Sequence, residues 1–119
     1  MKMSTAVEAS IPVGQWASVC SESDLIADIG ICVLFNGEQV ALFKERKSGK
    51  IYAISNYDPI GKANVLSRGI LGSIGGRLVV ASPLYKQHFC LETGQCLESE
   101  EAIKTYKVRV LEGRIQISN

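Results

Sequence analysis

Cysteine and histidine are the residue types in this chain with the most potential for metal or redox chemistry. The cysteines are Cys20, Cys32, Cys90 and Cys96, at gaps of 12, 58 and 6 positions, and the single histidine is His88. No pair has the close spacing of a zinc or iron-sulfur knuckle. Each cysteine lies among strand-type residues, as in GICVLF, so the sequence favours reduced, partly buried thiols over a four-ligand site.

Side chains for independent catalysis are also sparse. His88 is the only group that titrates near neutral pH without perturbation, and no neighbouring serine or cysteine has the context of a nucleophile. Glu98, Glu100 and Glu101 are typical of a solvated face. The glycines of SRGILGSIGGR lack the Lys-Ser or Lys-Thr ending of a phosphate loop and are typical of turns with positive φ. These patterns predict neither an independent enzyme nor a nucleotide site.

Short strands separated by turn signals must position these residues. The Asn-Gly, Thr-Gly and Glu-Gly pairs at 36–37, 93–94 and 112–113 predict tight turns between runs of strand-forming residues. Helical patterns are confined to residues 23–29, where Ser21 or Ser23 is a candidate cap, and to residues 99–103. We predict an all-β fold of about nine or ten short strands, arranged as a small sandwich or partly closed barrel.

Length and charge set the broad class of the protein. A chain of 119 residues with 46% hydrophobic side chains can bury one core, and its net charge of +1 predicts no attraction to nucleic acid or an anionic membrane. Residues 1–14 are predicted to be a loose terminus and 15–119 a single domain. The start lacks the apolar run of a signal peptide, and the longest apolar stretches are strand length, so we expect a cytoplasmic location.

The segments SNYDPIGKANVLSRG and SPLYKQHFCLETGQCL, with the strands around them, resemble the Rieske domain. In that family two loops carry Cys-x-His and Cys-x-x-His ligands for a two-iron cluster. By this resemblance Ser82 stands at the cysteine position of the second loop and Tyr85 at its histidine position. The first-loop window, residues 56–59, contains no cysteine or histidine. All four ligands are absent, so we expect no cluster and no metal on this chain.

The runs NYDP, ANVLSRGI, VVASPLYKQHF and TGQCLE, with the tryptophan of WASVC, resemble the small subunit of NAD(P)H-dependent assimilatory nitrite reductase. That resemblance implies a Rieske-like fold with a smaller sub-domain that carries the two former cluster loops. It also implies a large-subunit partner that bears FAD, siroheme and an iron-sulfur cluster and uses NAD(P)H to reduce nitrite to ammonium. This chain would then be a non-catalytic subunit without a cofactor. The alternatives are a Rieske-type electron carrier with atypical ligands and a free-standing binding domain.

The two loops are the candidate docking surface for that partner, because loops on a rigid β frame are common recognition sites and aromatic residues are enriched at interface cores. A second interpretation is that Ser82 and Tyr85 fill the space of the missing cluster. The candidate docking residues, which follow from the resemblance, are Asn56, Tyr57, Asp58, Ser82, Tyr85, Lys86 and His88.

Overall fold

The computed structural model describes residues 15–119, and all statements below concern that part of the chain. It contains eleven strands and two short 3₁₀ turns, at Glu22–Asp24 and Leu66–Arg68. The strands are β1 Ala17–Ser21, β2 Ile31–Phe35, β3 Glu38–Lys44, β4 Ile51–Ser55, β5 Tyr57–Asp58, β6 Ala63–Asn64, β7 Ile70–Ile74, β8 Arg77–Ala81, β9 His88–Cys90, β10 Thr105–Leu111 and β11 Arg114–Ser118. The all-β prediction is confirmed. The predicted loose terminus, residues 1–14, lies outside the described residues.

The largest sheet has six strands in the order β1-β11-β10-β4-β3-β2, and its two edge strands contact each other. The sheet therefore curls into a nearly closed barrel, which leaves few unpaired edge groups. Its interior is filled by alternate side chains of the strands. These buried residues are Phe35, Val40, Leu42, Ala53, Tyr106, Ile115 and Ile117.

A smaller unit, inserted between β4 and β10, carries the two loops of interest. It consists of a three-stranded sheet in the order β7-β8-β9 and a two-stranded ribbon of β5 and β6. A second buried cluster joins it to the barrel, because Ala41 and Phe43 of β3 pack with Val80 of β8 and Phe89 of β9. Strand β3 is thus buried on both faces, and the small unit is held rigidly on the barrel wall.

Turn chemistry explains the predicted hairpins. Asn36 and Gly37 connect β2 to β3 with φ of 52° and 78°, the left-handed pair that a two-residue hairpin turn requires. Gly113, with φ of 79°, closes the β10–β11 hairpin in the same way. Ser21 caps the first 3₁₀ turn, as one of the two predicted candidates. These local predictions succeed because the turn residues determine the backbone geometry.

Four details differ from prediction. The described chain has eleven strands rather than nine or ten, because the ribbon of β5 and β6 lies within a segment that reads as a loop. The run QCLE at residues 95–98, which the sequence predicts to be a strand after the Thr93-Gly94 turn, forms only isolated bridges at Gln95 and Cys96, and residues 99–103 form no helix. The helical pattern at 23–29 ends after one 3₁₀ turn, at Asp24. No helix among the described residues has the length and hydropathy to cross a membrane.

Candidate functional site

Asp58 organises the first loop, which follows β4. Its side chain is fully buried, and its Oδ1 accepts hydrogen bonds from the main-chain N–H groups of Ile60, at 2.8 Å, and Gly61, at 3.0 Å. Its main-chain carbonyl accepts from the N–H of Lys62 at 2.7 Å. Residues 58–62 therefore form a tight turn around one carboxylate.

Ser82 organises the second loop, which follows β8, in the same manner. Its Oγ accepts a hydrogen bond from the N–H of Leu84 at 3.3 Å, and its carbonyl accepts from the N–H of Lys86 at 3.0 Å. Like Lys62, with φ of 57°, Lys86 ends its turn in the left-handed region, with φ of 65°. We call residues 58–62 and 82–86 the twin turns, because Asp-Pro-Ile-Gly-Lys and Ser-Pro-Leu-Tyr-Lys share both sequence pattern and backbone bonding.

A buried hydrogen bond joins the twin turns at their first residues. The hydroxyl of Ser82, which is 1% exposed, donates to Asp58 Oδ2 across 2.6 Å. Asp58 and Ser82 thus occupy the same position, the first, of their respective turns. The turns also pack closely beyond this bond, because a Cβ atom added at Gly61 would overlap the side chain of Leu84.

Asn56 fastens the first loop to the barrel. It is 2% exposed, its Nδ2 donates to Gln39 Oε1 at 2.9 Å, and its Oδ1 accepts from the N–H of Ser67 at 2.6 Å. Its main-chain N–H donates to the Gln39 carbonyl at 3.0 Å. The residue therefore links β3, the loop and the second 3₁₀ turn. Its buried side chain holds the loop in place and does not lie on a docking surface.

Exposure separates the other candidate docking residues. Tyr85 is 65% exposed and Lys86 is also exposed, so both lie on the surface of the second turn. Tyr57 is 43% exposed, but it lines a cavity of about 440 Å³ together with Lys104 and Asn64. The structure therefore places Tyr57 beside a different surface feature from the junction of the twin turns.

His88 lies at the start of β9 and is tied to Glu98. The main-chain N–H of His88 donates to Glu98 Oε1 at 2.8 Å, and the ring Nδ1 lies 2.6 Å from Glu98 Oε2. The hydrogen bond from the main-chain N–H of His88 lowers the pKa of Glu98. Partial desolvation opposes this shift, whereas the hydrogen bond and charge of the His88 ring add to it. The pair holds segment 95–98 against β9, which leaves His88 half-buried.

The residues present do not match the requirements of a two-iron cluster. Such a cluster in a Rieske domain takes two thiolates and two imidazoles, whereas the facing groups here are the carboxylate of Asp58 and the hydroxyl of Ser82, which bond to each other. Tyr85 points outward rather than toward that bond, as its exposure shows. Within residues 15–119 no group of three or more His, Cys, Asp or Glu side chains could hold a metal ion.

Comparison with known proteins identifies the class first. A family model described as a Rieske-like [2Fe-2S] domain matches residues 15–118, so the chain belongs to the Rieske-like family. Within that class, the nitrite reductase (NADH) small subunit of Salmonella typhimurium is 44% identical over 106 residues, which cover 88% of this chain and 98% of that protein. The chain is accordingly a member of the nitrite reductase small-subunit family, and the resemblance read from the sequence is confirmed.

Two further comparisons bear on the fold and the partner. The NMR structure of the Escherichia coli protein NirD superposes with a TM-score of 0.81 at 42% identity, covering 88% of this chain and 96% of that one. A nitrite reductase [NAD(P)H] large subunit of Klebsiella oxytoca contains a segment 38% identical over 113 residues, or 94% of this chain but only 12% of that protein. The predicted Rieske-like fold is confirmed.

Sequence reasoning missed two residues of the site. Lys62 and Leu84 belong to the twin turns, and both lie at the surface. The signal that could have found them is the internal repeat of Asp-Pro-Ile-Gly-Lys in Ser-Pro-Leu-Tyr-Lys. The repeat assigns Lys62 the same position as Lys86.

Proposed function

We propose that this chain is the accessory subunit of an NAD(P)H-dependent nitrite reductase and supports the reduction of nitrite to ammonium by docking on a large subunit. The observation that carries the partnership is the Klebsiella oxytoca large subunit, in which a domain like this one is part of the same polypeptide. A domain found within one protein and as a chain of its own elsewhere is well suited to associate with the remainder of that protein. The nicotinamide, FAD, siroheme and iron-sulfur chemistry would belong to the large subunit.

The geometry of the loops supports a docking role over an electron-transfer role. Asp58 and Ser82 are oxygen groups that hydrogen-bond to each other at the junction, and neither is the soft sulfur ligand that an iron-sulfur cluster takes. The outer side of the second turn instead presents Tyr85 and Leu84, which are 65% and 44% exposed. Exposed aromatic and aliphatic side chains on a rigid frame are typical of the centre of a protein interface.

The chain and its large subunit should be produced together in the cytoplasm of a host and co-purified through a tag on the large subunit. We expect a stable complex whose NADH-dependent nitrite reduction exceeds that of the large subunit alone. A large subunit that neither binds the chain nor changes its activity would contradict the proposal. Iron and acid-labile sulfide in the purified chain would favour the atypical electron carrier instead, so both should be assayed on the same preparation.

A further inference from the structure

The twin turns form a small surface of uniform charge around an apolar centre. We define the tip patch as Lys62, Leu84, Tyr85 and Lys86, with Gly61 between the two turns. Leu84 and Tyr85 provide its exposed apolar area. The exposed Lys86 directly follows Tyr85, and the exposed Lys62 directly follows Gly61, which lies against Leu84. The patch is contiguous because the first turn packs against Leu84 at Gly61 and is bonded to the second through Ser82.

The carboxylate belonging to the twin turns does not offset these lysines. Asp58 is fully buried and its two oxygens accept from Ile60, Gly61 and Ser82, so it neither reaches the surface nor pairs with a lysine. Glu98, at the base of the second loop, is held by His88. The tip patch therefore presents two positive charges, although the whole chain has a net charge of only +1.

The backbone conformation of the two lysines shows that local stability alone does not favour lysine at these positions. Both adopt positive φ, 57° at Lys62 and 65° at Lys86, a conformation that glycine and asparagine adopt at lower cost. The angle alone does not mark a site, because Asp28 and Glu112 adopt similar ones, but the two lysines share their position in paired turns. Their placement at the same position of both turns favours a shared task for the two ammonium groups.

We propose that the tip patch docks on an acidic surface of the large subunit, with Tyr85 and Leu84 seated in an apolar depression and the two lysines facing carboxylates around its rim. This inference rests on the proposed function and adds the chemistry of the partner's surface. Charge complementarity of this arrangement would steer the encounter and fix the orientation, while the aromatic and aliphatic side chains would supply most of the buried area.

Affinity of the purified chain for its tagged large subunit should be measured by biolayer interferometry between about 50 and about 500 mM NaCl. The double reversal Lys62→Glu with Lys86→Glu is expected to weaken binding about tenfold or more at low salt, chiefly through the association rate, and the difference should shrink at high salt. Lys47→Glu is the control, because Lys47 is an exposed lysine in the β3–β4 turn, at the far end of that hairpin from the first loop. It should change affinity less than about twofold.

Two further variants are needed, one that removes a charge without disturbing the fold and one that tests the apolar contribution to binding. Lys86→Asn removes the charge but suits positive φ, so it should keep or raise the melting temperature while weakening binding. Tyr85→Ala should also weaken binding about tenfold, with little change in melting because the side chain is mostly exposed.

The binding results distinguish failure of the tip-patch proposal from failure of the proposed accessory-subunit function. No complex with the unaltered chain would overturn the proposed function and this inference with it. A complex that tolerates the double reversal, tightens on it, or responds equally to Lys47→Glu would overturn the inference alone. A dimer of the isolated chain that dissociates with Tyr85→Ala in analytical ultracentrifugation would assign the patch to a second copy and would also overturn it.

Discussion

Replacing Ser82 by alanine should detach the two turns from each other. The hydroxyl donates to a buried carboxylate at 2.6 Å, and a hydrogen bond to a charged group contributes about 1.5–3 kcal/mol. The Leu84 N–H also loses its acceptor, at 3.3 Å, which adds up to about 1 kcal/mol. Asp58 keeps its bonds to Ile60 and Gly61 but retains one buried oxygen without a donor. We therefore expect Ser82→Ala to lower the free energy of unfolding by about 2–4 kcal/mol.

Chemical denaturation with urea, followed by circular dichroism, measures this loss directly. For a domain of this size the same loss corresponds to a fall in melting temperature of roughly 8–16 °C. Ser118→Ala is the matched control, because Ser118 on β11 is likewise 1% exposed but lies outside the two turns. It should change stability by less than about 1 kcal/mol. Equal effects of the two substitutions would refute the argument that the Ser82–Asp58 bond holds the turns together.

Three other predictions concern the loops, the acid response and the thiols. Gly61→Ala should lower stability by no more than about 1 kcal/mol, because its methyl group would meet Leu84 Cδ1, the end of a 44% exposed side chain that can shift. Adding Leu84→Ala should restore part of the loss in a urea-based double-mutant cycle, and additive losses would contradict the contact. The lowered pKa of Glu98 means that its contribution to stability is complete above the unfolded value of about 4.3 and is lost as pH falls through the folded value. Glu98→Gln should therefore flatten the decline of urea stability below about pH 5, and an unchanged pH profile would contradict this reasoning. Cys32 is the exposed cysteine, so Cys32→Ser should remove the fastest phase of native thiol titration, and a fast phase that survives the substitution would assign it to another thiol. Partial burial raises the pKa of the Cys32 thiol, so this phase should accelerate with rising pH.

The strand and turn pattern could be predicted where local chemistry decides the backbone. Asn36, Gly37 and Gly113 carry the positive φ that their turns need, and the sequence pairs that contain them marked the hairpins correctly. The ribbon of β5 and β6 could not be predicted in this way, because two-residue strands have no periodicity to detect. Residues 95–98 read as a strand because the run QCLE follows the Thr93-Gly94 turn signal, but in the structure only Gln95 and Cys96 pair, through isolated bridges to Ala102 and to β9.

The candidate site could be predicted in position but not in the role of each side chain. Ser82 and Tyr85 were recognised as replacements for ligands, yet only Ser82 turns inward, and the buried Asp58 that receives its hydrogen bond lies 24 positions earlier. Burial of Asn56 and Asp58 depends on contacts with β3 and with Ser82 of the second loop, which residue type does not reveal. The interpretation that Tyr85 fills the space of a cluster does not fit its exposure, whereas the same interpretation suits Ser82.

Ser82 points inward and Tyr85 points outward, and this difference would suit a Rieske-like fold to the proposed binding role. In a cluster-bearing Rieske domain the metal bonds cross-link the two loops, and the ligand positions must all point inward. Here the short bond between Ser82 and Asp58 supplies the cross-link, so position 85 has no ligand to hold and its side chain is free to face solvent. The inward residue holds the two loops together, and under the proposed docking role the outward tyrosine would supply a large apolar contact area. On that proposal, stability and recognition depend on different residues of the same turn, so Ser82→Ala should act on stability and Tyr85→Ala on association.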